Sequence, residues 1–422
     1  MPIACHGPSR PSSAPRLDFL DGLRGLSALY VVLHHAALEV PGGSLSRASD
    51  VLRGLLRHGH FAVAVFIVLS GYCLMRPVAL DPSGRVRGGW RRFFFRRARR
   101  ILPPYYAALA LCWLMIAVVP GMQRMEKARW DRALPAFEPG VVASHLFLVH
   151  NLDERWLFKI DPPMWSVATE WQIYLLFPGL IVVWRRYGIA AAVAAGFTFG
   201  GLVATLAGWL DNPALAKLCP WYAGLFAMGM AAAVDRRRRQ PDGPPARGVA
   251  LAFVLAVAAI LFAGLAARAG ADATVMLADV VVGLAAKGLV VCCARKADRG
   301  DATPRRGVLR LLESRAAVAL GSFSYSLYLI HFPLLAAMGR ALRTRGWGAE
   351  SRFSAMILVA TPLSALAAYL FHMVFERPLV RAAAGGPTSA PFHERTVARR
   401  RGPVTSPGQA SGRSGDTPAR AS

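Results

Sequence analysis

The chain reads as an all-α protein, a polytopic transmembrane helical bundle of about ten spans with no large soluble domain. Hydrophobic residues make up 55% of its 422 positions, its formal charge is +26, and its mean hydropathy is positive. A soluble basic protein of this size would spread its charge over a polar surface and usually meet nucleic acid. Here the charge sits in short blocks between apolar runs long enough to cross a bilayer. That pattern argues against a nucleic-acid partner and makes membrane lipids the surroundings.

Residues 1–16 are Pro/Ser-rich and lack the apolar core and cleavage site of a signal peptide, so they read as a disordered segment. A membrane domain then covers 17–380. Spans are expected at 20–40, 61–80, 101–120, 164–184, 189–210, 214–234, 249–268, 273–294, 316–340 and 353–376. The stretch 141–152 is apolar but too short to cross, which suits an interfacial or re-entrant piece. Residues 381–422 are rich in Gly, Pro, Ser and Arg without periodicity and read as a disordered basic tail. Basic blocks at 85–100, 185–186, 236–239 and 295–315 fall on one side if the spans alternate. The positive-inside rule then places that side, and both termini, in the cytoplasm of a multi-pass cell-membrane protein.

The first span, LDGLRGLSALYVVLHHAALEV, carries Arg24 and His35 eleven residues apart. Eleven steps of a helix return to within about 20° of the start, so the two share a face, about 16 Å apart along the axis. Asp21 lies on the same face. Ionisable groups at such depth are costly unless they face a protein interior or a wet cavity, and they usually mark function. An imidazole there can accept and return a proton near neutral pH. His34 points about 100° away and reads as packing.

Arg96, Arg97, Arg99 and Arg100 crowd the start of the third span. Their guanidinium forks match phosphate oxygens, and they equally suit lipid headgroups. Glu170, in WSVATEWQIY, lies one to two turns inside the fourth span and needs a partner or a water-filled cavity. Aromatic belts account for Trp165 and Trp171 but not for Glu170. Ser324, Tyr328 and His331 fall near one face of the ninth span, where they either glue helices or line a substrate path. Ser70 lacks the Gly-x-Ser-x-Gly frame of a nucleophile, and beside Gly71 it marks a close helix approach. The six cysteines and the pairs His58/His60 and His145/His150 have no metal-site spacing. No metal is expected.

The stretches LDGLRGLSALYVVLHH, FIVLSGY, FFRRARRILPPYY, WSVATEWQIYLLFP, LGSFSYSLYLIHFPL and FERP follow one another between residues 17 and 378. In these the chain resembles the acyltransferase 3 family of integral membrane O-acyltransferases. The resemblance implies transfer of an acyl group, often acetyl, from acyl-CoA, with acetyl-CoA the expected co-substrate. The acceptor would be a hydroxyl of a glycan such as a surface polysaccharide, of a lipid, or of a secondary metabolite. It implies that His35 is the catalytic histidine and Arg24 its paired arginine, and that Glu170, counted with them as catalytic, and His331 match the family's motif positions. Arg97 and Arg100, with Arg96 in the same block, would hold the CoA. Asp21, Ser70, Tyr72, Trp165, Ser324, Tyr328, His331 and Glu376 would line the substrate path. Thr169 departs from the acidic or small residue more usual before Glu170. The alternative reading is a transporter or flippase of a glycan or lipid-linked precursor, with His35, Glu170 and His331 forming a proton or substrate path. A third is a non-catalytic membrane scaffold.

Overall fold

The glycines of the first helix decide how the bundle closes. Helix α1 (Asp18–Leu38) lies against α11 (Val308–Leu312) and α12 (Arg315–Ser322) with almost no side chain between the backbones. A Cβ on Gly25 would sit 2.5 Å from both the Ala317 carbonyl oxygen and the Gly321 amide nitrogen. Only glycine permits this approach.

The computed structural model describes residues 17–41, 44–126, 128–237, 273–298 and 307–379, and these contain helices and no strand. The other elements are α2 (Arg47–Leu56), α3 (His60–Leu80), α4 (Gly89–Val118), α5 (Pro139–Leu146), α6 (Trp165–Tyr187), α7 (Ile189–Trp209), α8 (Pro213–Lys217), α9 (Tyr222–Arg237), α10 (Ala273–Asp298), α13 (Ser324–Thr344), α14 (Ala349–Ala355) and α15 (Thr361–Phe371). One-turn π segments occupy Met356–Ala360 and His372–Glu376.

Seven helices among the described residues are long and apolar enough to cross a membrane, or eight if α12 and α13 form one broken span. This count covers the described residues alone and stands beside the ten spans expected from the sequence. Helix α1 has the length, about 31 Å over its 21 residues, but Asp18, Asp21, Arg24, His34 and His35 dilute its apolar character. The stretch 249–268 lies outside the described residues, as do segments 1–16 and 381–422.

The span expected at 316–340 is not straight. α12 and α13 meet at 75° around Phe323. The Ser322 and Ser324 hydroxyls donate to the Ala319 and Gly321 carbonyls at 2.6 and 3.0 Å, satisfying groups that a continuing helix would bond itself. The apolar stretch at 141–152 becomes α5 and a 3₁₀ turn, His150–Leu152, neither long enough to span.

Helix α4 runs 30 residues, about 45 Å, which exceeds an apolar core of about 30 Å. Its C-terminal part is apolar, so the arginine-rich first turns project beyond that core. Helices α3 and α9 pack closely because Gly71 rests against the Phe226 carbonyl.

Candidate active site

Helices α1, α3, α6 and α13 each contribute to two cavities in file. The first, about 110 Å³, is lined by Arg24, Ser70, Cys73, Glu170 and Tyr174, with Arg97 and Arg100 from α4. It shares Cys73, Leu74 and Arg97 with a vestibule of about 420 Å³ that carries Arg87, Arg92 and Arg96. The second cavity, about 170 Å³, is lined by His34, His35, His60, Trp165 and Phe332 together with Arg129 and Arg132. Val63 and Tyr328 line both. Helical period explains the file: 63, 66, 70 and 73 form one stripe of α3, and 166, 170 and 174 form one stripe of α6.

The first cavity is a site for negative charge. Ser70 Oγ donates to Glu170 Oε1 at 2.5 Å, and the Tyr174 hydroxyl donates to the same oxygen. Ser70 Oγ and Tyr174 Oη lie 2.7 Å apart over it. Arg24 Nη2 donates to Cys73 Sγ at 3.2 Å, and Arg24 Nη1 lies 3.7 Å from Asp21 Oδ1. Three guanidinium groups, of Arg24, Arg97 and Arg100, thus face a single lining carboxylate, Glu170. Arg97 Nε is buried without a hydrogen-bond partner among the described residues. An anionic ligand such as phosphate would balance this excess and satisfy the open donors.

The second cavity is built around imidazoles. The His35 ring packs 5.2 Å from His331, 5.0 Å edge-on to Phe332 and 4.8 Å from His34, centroid to centroid. His331 Nδ1 faces the Tyr328 and Leu327 carbonyls at 2.8 and 3.1 Å. A carbonyl only accepts, so Nδ1 carries the proton and Nε2 of the neutral ring is an acceptor. That Nε2 and the Nδ1 of His35 are buried with no partner among the described residues. His34 differs: its Nδ1 lies 2.8 Å from the Leu56 carbonyl. Between the cavities stands Tyr328, whose hydroxyl meets Ser166 Oγ at 2.6 Å and donates to the Pro163 carbonyl at 3.1 Å.

An acyltransferase domain model matches residues 17–375. The chain belongs to the acyltransferase 3 family. It is 26% identical over 400 residues to the acyltransferase MdmB of Streptomyces mycarofaciens, covering 88% of this chain and 93% of that one. It is 25% identical over 171 residues to the peptidoglycan O-acetyltransferase OatA of Listeria monocytogenes, covering 40% of this chain and 24% of the relative. It is 30% identical over 173 residues to the O-acetyltransferase PaAT-1 of Phomopsis amygdali, covering 36% and 32% respectively. No solved structure matches at a significant level. The family and these relatives make the chain an acyltransferase enzyme, and its long apolar helices fit a multi-pass membrane protein.

Within this acyltransferase the residues singled out by sequence separate. Arg24, Ser70, Arg97, Arg100, Glu170, Ser324 and Tyr328 line the first cavity. His35 and Trp165 line the second, which Tyr328 also reaches. Arg24 and His35 share a helix face, yet their rise along α1 puts them in different cavities. Arg96 lines the vestibule and not the inner chamber. Asp21 acts through Arg24.

Four residues expected on the substrate path, Asp21 beside Arg24 and the three that follow, line none of these cavities. Tyr72 is fully buried, because two steps beyond Ser70 turn it about 200° away. Glu376 accepts from Ser326 Oγ at 2.5 Å and lies 2.9 Å from His372 Nδ1, a polar tie between α13 and the last π segment. His331 supports the His35 ring from behind.

Sequence reasoning passed over Cys73, Tyr174, His60, Arg129 and Arg132. Tyr174 and Cys73 were findable, one turn from Glu170 and Ser70. Arg129 and Arg132 sit in a 3₁₀ turn within a polar loop, where no periodic signal exists.

Proposed function

We propose that the acyl donor is an acyl-CoA held at the Arg97 end of the bundle and that the acceptor is a hydroxyl compound reaching His35 from the opposite end. One observation carries this reading. The two cavities share Val63 and Tyr328 as a common wall, so a cation-rich chamber and an imidazole with an unpartnered Nδ1 lie on either side of one side-chain partition. Arg96 in the vestibule and Arg97 and Arg100 in the chamber suit the phosphates of CoA. The basic blocks at that end support a cytoplasmic side by the positive-inside rule. Arg24 belongs with the donor.

In the reaction, the acceptor oxygen attacks the thioester carbonyl while His35 takes the hydroxyl proton. The tetrahedral intermediate collapses, the carbon–sulfur bond breaks, and the imidazolium returns its proton to the leaving thiolate. The products are an O-acyl ester and free CoA, with no net proton change. The step at His35 is general base catalysis, worth about 10²–10⁴-fold. Acetyl is the acyl group best matched to relatives named O-acetyltransferases. The acceptor class is a glycan, lipid or secondary metabolite, peptidoglycan being the one printed in the name of the Listeria relative.

The test is thiol release from acetyl-CoA by the purified enzyme, with and without an extract of cell-envelope glycans and lipids. Extract-dependent release that disappears in a folded His35→Gln variant is expected. Exchange of a glycan or lipid-linked precursor across proteoliposomes with no CoA release would overturn the reading in favour of transport.

A further inference from the structure

We infer that the His35 cavity takes an acceptor bearing an anionic group, a carboxylate or a phosphate, held by Arg129 and Arg132. The inference rests on the acyl-transfer reading of His35 and adds the chemical class of the substrate.

The two arginines leave the 3₁₀ turn Arg129–Ala133 three residues apart. Side chains at that spacing eclipse in a 3₁₀ helix, so both point the same way, and both line the cavity. The turn is fixed from below. Trp130 is buried, its indole N–H donates to the Met122 carbonyl at 2.8 Å, and its ring stacks on Phe332 at 5.9 Å. Phe332 in turn meets the His35 ring edge-on. The arginine turn and the imidazole are therefore held by one aromatic stack.

No carboxylate lines this cavity among the described residues. Asp161, next to the lining Pro162, is buried and does not itself line the cavity, and several other acids nearby have partners of their own. The Asp131 carboxylate accepts the backbone N–H groups of Glu126 and Ala128 at 3.1 Å. Glu39 pairs with Arg343 at 3.4 Å, Glu154 with Lys217, and Glu126 with Arg340. Neither Arg129 nor Arg132 has a hydrogen-bond or ion-pair partner among the described residues. Burial and the like charge of Arg132 pull Arg129 below the ordinary arginine range. An adjoining cleft shares Arg132 and Phe158 and adds Lys159 and the Lys217–Glu154 ion pair, so it extends the positive surface by one net charge. Two aligned guanidinium groups, Arg129 half-buried and Arg132 exposed, with no hydrogen-bonded or ion-paired counter-ion and only the more distant charge of Glu39, which is itself paired with Arg343, acting on Arg129, form a subsite for oxyanions.

The probes are 4-nitrophenyl β-D-glucuronide and 4-nitrophenyl β-D-glucoside, which differ by one carboxylate, measured by equilibrium dialysis against the full-length enzyme in neutral detergent. The glucuronide should bind at least about tenfold tighter. Arg132→Gln should reduce that preference, and the Arg129→Gln/Arg132→Gln pair should abolish it, while Arg129→Lys/Arg132→Lys retains part of it. Arg132 is exposed, so its single variant keeps the test usable where the pair folds poorly. Competition by glucose 6-phosphate would assign the subsite to phosphate as well; no competition would restrict it to carboxylate. Equal binding of the two glycosides, a preference that survives loss of both arginines, or displacement of the glucuronide by free CoA would each overturn the proposal. Thiol release from acetyl-CoA, run on the same samples, separates the two failures. Release without glucuronide preference removes the subsite and leaves acyl transfer standing. Preference without release does the reverse.

Discussion

The two cavities differ in how they treat their polar groups. In the Arg24 chamber the one carboxylate is already served: Glu170 accepts from Ser70 and Tyr174. What is left over is fixed positive charge. At the His35 chamber an imidazole nitrogen is left open: the Nδ1 of His35 has no partner among the described residues, nor has the Nε2 of His331 packed behind it. Burying an unpaired polar atom costs about 1–3 kcal/mol, a cost that a bound ligand or an ordered water removes. One end is arranged to hold a charge that stays, the other to handle a proton that moves. The partition between them is a side chain, Tyr328, whose hydroxyl is tied to Ser166 and to the Pro163 carbonyl.

The contrast breaks most visibly at His35. His35→Gln should lower kcat by about 10²–10⁴-fold and leave the KM for acyl-CoA unchanged, because glutamine hydrogen-bonds but does not titrate near neutral pH. Initial rates at varied donor concentration check both parts. A KM shift with kcat intact would place His35 in binding and erase the difference between the ends.

Arg97→Ala tests the other end. Losing one charge-assisted contact of about 1.5–3 kcal/mol should raise the acyl-CoA KM by about one to two orders of magnitude. The acceptor KM should stay fixed, and added salt should weaken the wild-type donor KM more than the variant's. If only membrane insertion or abundance falls, the arginines are topogenic and the chamber is no donor site.

Gly25→Ala should act on both ends at once. Its new Cβ would meet the Ala317 carbonyl and the Gly321 amide at 2.5 Å, so α1 must move and carry Arg24 and His35 with it. Overpacking of this kind costs about 1–3 kcal/mol. Thermal unfolding in detergent should show it, with kcat and donor KM worsening together. Gly54→Ala, where a Cβ meets nothing within 4 Å, is the control and should keep or raise stability.

The sequence disclosed the one-dimensional part of this arrangement. The shared face of Arg24 and His35, the α6 placement of Glu170 and the apolar spans that became α3, α4, α6, α7, α9 and α10 all follow from period and length within one helix. What failed needed relations between helices. That Arg24 and His35 open into different chambers depends on where Tyr328 crosses from α13. The 75° break at Phe323 depends on α1 pressing against Gly321. The burial of Tyr72 was a periodic fact that a shared motif with Ser70 obscured. Arg129 and Arg132 had no signal, because a polar loop carries no register until Trp130 anchors it.

The smallest effect is expected at His34, and it sharpens the contrast within a single helix turn. His34 and His35 are adjacent in sequence and line the same cavity, so a general need for imidazole there would penalise their loss equally. Their surroundings differ. His34 Nδ1 is 2.8 Å from the Leu56 carbonyl at the end of α2 and 3.2 Å from the Gly59 amide nitrogen, and bonds one or the other according to its tautomer, a tie between helices. His35 Nδ1 has no such tie. His34→Ala should therefore cost about 1 kcal/mol of stability, the net worth of one hydrogen bond. Turnover should stay within about threefold of wild type, below the range of general acid–base effects. His34→Asn, whose side-chain amide can still donate to the Leu56 carbonyl, should recover part of the stability. Thermal unfolding and acceptor-dependent CoA release, measured on the same preparations, decide the matter. A folded His34→Ala enzyme as inactive as His35→Gln would mean that the two rings work as a unit, and that the open nitrogen of His35 is not the atom that takes the proton.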